Sequence, residues 1–283
     1  MKTIISASRR TDIPAFYYNW LQNCLKEKKV IVNNPLYPEK IYTIDLEPEN
    51  IHSIILWSKN FINVLKDPGL LENYNIYFQY TITGYNKKME PNVPTYEESL
   101  KTLEGLLRKY NPKQFNIRFD PIIITLNGEV ELIDNNPELS RLKIFERLCK
   151  DLKTLGMDDC RITVSYISFY GNTEEKLRKA GIEFIRLTEE EQINFFKRMS
   201  EIAQKFNRNI YTCANDRFIE AGITNIKKGH CIDGDILSEL FGKCTKSKDS
   251  SQRLECGCVK SRDIGLYTQR CGHKCAYCYS SAC

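Results

Sequence analysis

Six short apolar runs, each followed by a stretch of helical periodicity, constrain the fold of this chain more than any other feature. The candidate strands are 3–6, 53–57, 76–83, 115–119, 161–167 and 209–212. Several are nearly unbroken in apolar residues, as strands covered on both faces are. Between them the apolar period becomes 3.6. Leu142, Phe145, Leu148, Leu152 and Leu155 share a face, as do Phe196, Met199, Ile202, Ala203 and Phe206. Leu100, Leu103, Leu107 and Tyr110 form a third such stripe. Alternation of this kind predicts an α/β class with a parallel sheet. Six units fall short of a closed eight-unit barrel, so the expected fold is an incomplete (β/α)6 TIM-like barrel over residues 1–212, open on one side.

Thr11 or Asp12 suits the N-cap of the first helix, with Pro14 in its first turn. The segment 30–45, broken by Asn33, Asn34, Pro35 and Pro38, reads as an inserted β-hairpin. After Cys213 the periodicity fades, and residues 213–283 are expected to form a cysteine-rich metal-binding segment. Within it the polar stretch 243–253 reads as a mobile loop.

The chain has 12 cysteines, and nine of them lie from Cys213 onward. The N-terminus has no apolar signal region and no stretch approaches a membrane span, so the expected setting is cytoplasmic, without a membrane partner. Thiols stay reduced there, and clustered cysteines point to metal or redox chemistry. Cys24, Cys149 and Cys160 fall in apolar-periodic segments and read as small core residues. Cys244 and Cys283 lie in polar sequence and are left unassigned.

The densest run is C-G-H-K-C-A-Y-C, which spaces Cys271, Cys275 and Cys278 as C-x3-C-x2-C. Three thiolates can hold three irons of a 4Fe–4S cube and leave the fourth open. The rival reading is a zinc knuckle closed by Cys283 or His273. Cys213, Cys231, Cys256 and Cys258 make a further set of four, suited to a second 4Fe–4S cluster or, alternatively, to structural zinc; the cluster is the favoured reading. Gly257 gives the backbone freedom between Cys256 and Cys258. His230 and His273 read as supporting or solvent-facing neighbours of these ligands, and His52 as structural.

In open parallel sheets ligands bind beyond the C-terminal ends of the strands. Arg118 and Asp120 alternate about Phe119 at such an end, so they share a face and are candidates for a polar ligand. Lys59 and Ser168, each taken alone, read as solvated loop residues. The formal net charge is +5, concentrated at the two ends of the chain. Basic ends admit a nucleic-acid partner. That partner is not favoured, because bound iron–sulfur clusters ligated by thiolates would be anionic and would account for the tail's excess.

The runs I-S-A-S-R-R-T-D-I-P-A-F-Y, C-I-D-G, E-C-G-C-V, D-I-G-L-Y and C-G-H-K-C-A-Y-C-Y together resemble an uncharacterised bacterial family placed near the radical S-adenosylmethionine (SAM) enzymes by its terminal cysteines. The resemblance covers essentially the whole chain. C-x-Y-C-Y also resembles, over a few residues, the cluster segment of spore photoproduct lyase. The resemblance implies a radical SAM enzyme. In it Cys271, Cys275 and Cys278 would hold a 4Fe–4S cluster that binds SAM, Tyr277 would lie near the adenine, and Arg118 and Asp120 would be candidates for the methionine or ribose of SAM. An electron donor such as ferredoxin or flavodoxin would serve it. The substrate is unidentified. Typical members carry the three cysteines after the first strand, where this chain has R-R-T-D. The tail is therefore expected to fold back over the top of the sheet, bringing Arg9, Arg10 and Asp12 beside the cluster or SAM. The alternative is a nucleic-acid-binding or nucleic-acid-repair protein whose zinc or iron–sulfur sites are structural.

Overall fold

A computed structural model describes residues 2–33, 37, 39–130, 135–213, 215–253 and 255–279. Eight parallel strands form one sheet: β1 (Thr3–Ala7), β2 (Ile51–Ser58), β3 (Ile76–Thr81), β4 (Phe115–Ile122), β5 (Arg161–Tyr166), β6 (Ile210–Thr212), β7 (Ile226–Lys228) and β8 (Arg262–Asp263). Their spatial order is β7-β6-β5-β4-β3-β2-β1-β8. All six strands read from the sequence are present. The six-strand count is corrected to eight, because β7 and β8 are short pieces of the cysteine-rich segment added at the two edges. They carry three and two residues, too few for a period to register. Among the described residues no ladder joins β7 to β8.

Because β1 to β7 lie side by side in chain order, the crossovers all advance in one direction. Right-handed crossovers then place their helices on one face of the sheet. That face holds the main core, where Ile5, Ile54, Phe78, Ile117, Ile162 and Ile210 are buried. The apolar stripes sit on helices Tyr96–Leu107, Pro137–Thr154 and Glu189–Lys205, with Leu103, Leu142, Phe145, Leu148, Phe196 and Met199 buried. Asp12 caps the helix Ile13–Phe16 by accepting from the Ala15 amide at 3.0 Å. The hairpin pairs Lys29–Asn33 with Ile41–Asp45, and its turn residues 34–36 and 38 lie outside the described residues.

The other face is different in chemistry. Strand alternation puts Ile4, Ile55 and Tyr77 on it, and they pack under Ile232, Leu237, Cys256, Cys258 and Val259. The same face carries Gln79 and Asn116, in register across β3 and β4, and Thr163 on β5, which stands opposite Arg118. Thr163 donates to Asn116 (2.9 Å), Asn116 to Gln79 (2.7 Å), and Gln79 to the Cys231 carbonyl. The cysteine-rich segment is thus laid into this second face. The stretch 243–253, expected to be a mobile loop, is instead tied down. Asp249 N–H donates to the Cys258 carbonyl (2.9 Å) and Lys260 N–H to Ser247 (2.9 Å).

Candidate functional site

Strand β8 carries the tail back to β1. Asp263 stands opposite Ser6 in the ladder. Its carboxylate accepts from the Ser6 hydroxyl (2.9 Å), the Ser8 hydroxyl (2.6 Å) and the Arg9 amide (2.9 Å). A Cβ at Gly265 would meet the Ser8 hydroxyl at 2.1 Å, so D-I-G needs its glycine. Asp263→Ala leaves these donors unpaired and is expected to cost about 2–3 kcal/mol in urea unfolding, with faster proteolysis after residue 261.

Beyond β8 the three terminal cysteines are clamped at two points. His273, 2% exposed, shares a 2.7 Å hydrogen bond between its Nε2 and Asp12. Burial disfavours the imidazolium, but Asp12 outweighs it and raises the His273 pKa. Asp12 also accepts from the Ser58 hydroxyl (2.7 Å) and the Lys59 amide (2.9 Å). With the Ala15 amide its acceptor sites are filled, so Asp12 holds the loop in place. At the second point the Tyr277 hydroxyl donates to Glu90, which also takes Thr83 (2.7 Å) and Lys59 (2.8 Å). Between the clamps, Ala276 N–H donates to the Met89 carbonyl (2.9 Å). A Cβ at Gly272 would strike the Phe16 ring at 2.6 Å.

Cys271, Cys275 and Cys278 all line one cavity of about 610 Å³, with Arg9, Arg10, Trp57, Tyr267 and Tyr277. Burial pushes the Cys275 thiol well up, and the neighbouring Lys59 pulls it back in part. Arg10 donates to the Gly265 carbonyl (2.6 Å) and lies 4.3 Å from the Tyr267 ring centre. The Arg9 guanidinium lies 5.6 Å from the Trp57 ring centre. Its Nη2 is buried and has no hydrogen-bond partner among the described residues. The arginines therefore meet the tail's own Asp263 and this cavity.

Arg118 and Asp120 line a second cavity of about 660 Å³, together with Ser165, Cys213, Cys231, Arg253, Tyr277 and Cys278. Arg118 pairs with Asp120 and donates to the Cys231 sulfur at 3.1 Å. Ser165 donates to the other Asp120 oxygen. Their direct polar contacts thus run to Cys231 and Ser165, while Tyr277 and Cys278 form the wall shared with the first cavity.

Cys213, Cys231, Cys256 and Cys258 come together as well. Cys213 and Cys231 line the second cavity, and the Cys258 sulfur accepts from the Ile232 amide at 3.4 Å. Sharing protons with Cys213 lowers the Cys256 and Cys258 pKa values and raises that of Cys213. All are free thiols. Among the described residues no three or more His, Cys, Asp or Glu side chains form a group that could hold a metal ion. Cys244 is apart from both groups; it is buried and its thiol donates to the Gly234 carbonyl at 3.3 Å. Cys283 lies outside the described residues.

Lys59, Glu90 and Asp263 carried no signal as site residues, and Lys59 read as solvated. Lys59 is in fact ion-paired with Glu90, their side chains 14% and 3% exposed. Its partner lies 31 residues away, beyond any local pattern.

An α/β protein with a parallel eight-stranded sheet and a cysteine-rich site at one end of it is the class so defined. The chain belongs to the DUF1848 family, described as a domain of unknown function, whose match runs over residues 4–280. No curated protein and no solved structure matches the chain. No helix among the described residues is long and apolar enough to cross a membrane.

Proposed function

We propose that this chain is a radical SAM enzyme built on an incomplete TIM-like barrel, with Cys271, Cys275 and Cys278 as the cluster ligands. The observation that carries the reading is that the three thiols, delivered from the far end of the chain, line one cavity beside the residues that follow β1. Those residues fit the group: three sulfurs suit three irons, and among the described residues the cysteines lining that cavity are these three. Bound there, a 4Fe–4S cluster would supply the electron that cleaves the sulfonium bond of SAM, giving methionine and a 5′-deoxyadenosyl radical that takes a hydrogen atom from substrate.

The chain's own residues divide the remaining work. Arg9 lines that cavity and its buried Nη2 has no hydrogen-bond partner among the described residues, which suits it to the carboxylate of SAM. Trp57 and Tyr267 offer aromatic faces for its adenine. Asp12 and Glu90 orient the cysteine loop through His273 and Tyr277. The neighbouring cavity, walled by Tyr277 and Cys278 on one side and Arg118 and Asp120 on the other, is the place for substrate. Electrons would come from a ferredoxin- or flavodoxin-type donor.

The test is anaerobic reconstitution with iron and sulfide, followed by addition of SAM and dithionite. 5′-Deoxyadenosine should form only when all components are present. A reconstituted protein that neither binds SAM nor releases 5′-deoxyadenosine refutes the reading.

A further inference from the structure

The larger of the two cavities, about 660 Å³, is lined by two arginines and one carboxylate: Arg118, Arg253 and Asp120. Arg118 and Asp120 neutralise each other. Arg118 pairs with one Asp120 oxygen, Ser165 donates to the other, and the Arg118 Nη1 donates to the Cys231 sulfur at 3.1 Å. Arg253 is different. It is exposed, its Nη1 donates to the Tyr170 hydroxyl at 3.3 Å, and among the described residues no carboxylate pairs with it. A guanidinium keeps its charge and presents its remaining N–H groups as a fork that fits a carboxylate. The cavity is therefore left with one positive charge in want of a partner.

Beside that charge stand two open aromatic rings. Tyr170 and Tyr279 line the same cavity, 52% and 69% exposed, with ring centres 6.2 Å apart and planes at 68°. Aromatic faces left in water next to a cation accept a flat ring that carries an anionic group. The backbone fixes these side chains. Gln252 N–H donates to the Asp249 carbonyl (3.2 Å) and Cys256 N–H to the Arg253 carbonyl (3.0 Å), while Thr173 N–H donates to the Tyr170 carbonyl (2.8 Å). We infer, on the proposed reading of this cavity as the place for substrate, that it takes a small aromatic carboxylate, with the negative charge on Arg253 and the ring against Tyr170 and Tyr279.

Charge and size select this class. One unpaired guanidinium matches one negative charge. A phosphate monoester, nearly dianionic at neutral pH and with three acceptor oxygens, calls for further cations, and Arg118 is already engaged by Asp120 and Cys231. The volume lies in the range of small-molecule sites, about 300–1,000 Å³. The cavity also reaches Tyr277 and Cys278, the wall shared with the first cavity, so a ligand held by Arg253 occupies the space that leads to the terminal cysteines.

Titration of the purified chain with benzoate and with benzamide, followed by saturation-transfer NMR, tests the assignment. The two probes share a ring and differ in charge. Benzoate is expected to bind about tenfold more tightly than benzamide to the parent, and the ratio should fall to about one in Arg253→Gln. Cyclohexanecarboxylate, which keeps the charge and loses the flat ring, should bind the parent more weakly than benzoate does. That preference should vanish in Tyr170→Leu/Tyr279→Leu. All three substituted side chains are exposed, so these variants are expected to fold. Absence of saturable benzoate binding, equal affinity of the parent for benzoate and benzamide or for benzoate and cyclohexanecarboxylate, a charge preference that survives Arg253→Gln, or tighter binding of phenyl phosphate than of benzoate would each overturn it. None of these titrations involves iron or SAM. Probe binding as expected in a chain that fails to cleave SAM leaves the carboxylate site standing while the proposed activity falls. SAM cleavage by a chain whose benzoate affinity ignores Arg253 removes the carboxylate site alone.

Discussion

Cys275→Ala is expected to reduce 5′-deoxyadenosine formation to the level of the uncatalysed control, with about four irons lost per chain. Cys275 is the most enclosed of the terminal three, 9% exposed, and it lies between the two clamps on its loop. With Cys275 gone, two irons of the cube instead of one lack a protein sulfur and only two thiolates hold it, so the loss should be nearly complete. The sheet should persist. Asp263 still ties β8 to β1, and Cys275 is one small side chain among the many that make up the main core. Far-UV circular dichroism is therefore expected to match the parent. Cys271→Ala and Cys278→Ala should behave alike. Cys244→Ala is the matched control, because among the described residues that thiol's polar contacts run to Gly234, Ser238 and Thr245 and not to the terminal triad. Parent-level product from Cys275→Ala, or equal loss from Cys244→Ala, would remove Cys275 from the ligand set.

The sheet was legible because its signals are local. Each of the six strands read from the sequence is a short apolar run beside a helical stripe, and runs such as 76–81 and 161–166 need no partner to be recognised. Strands β7 and β8 were not legible, since Ile226–Lys228 and Arg262–Asp263 become strands only by pairing with edges already formed. The cysteines announced themselves by spacing, and Cys271, Cys275 and Cys278 line one cavity. What lay hidden was the support. Glu90 and Lys59 are charged residues in segments of loop composition, and burial of the pair follows from tertiary contact alone. His273 likewise gave no sign that Asp12, 261 residues away, would be its partner. Arg118 sat where strand alternation put it, but its bond to Cys231 depends on how the returning tail is laid across β4.

Glu90→Gln is expected to destabilise the chain by about 3 kcal/mol and to lower iron retention at the terminal triad. Burial works against charge on both partners. For Glu90 the Lys59 ammonium and the hydroxyls of Tyr277 and Thr83 outweigh it and hold the carboxyl below the usual range. For Lys59 the carboxylate of Glu90 outweighs it and raises the ammonium. Neutral glutamine keeps the shape but leaves a buried ammonium 5.6 Å from the Tyr277 ring centre without its counter-charge. Removing one partner of a buried pair costs far more than removing both. Lys59→Met/Glu90→Gln should therefore recover most of the lost stability, as urea unfolding of the four-member mutant cycle would report. The pH dependence has a definite sign. A depressed carboxyl contributes stability above its unfolded pKa of about 4.3, and that contribution disappears as pH falls through the folded value. The raised ammonium contributes below about pH 10.4 and loses its share as pH rises through its folded value. The gap between parent and Glu90→Gln should thus stay level across neutral pH and narrow in acid. A double variant no more stable than Glu90→Gln, or a gap that widens in acid, would show that Glu90 does not act through Lys59.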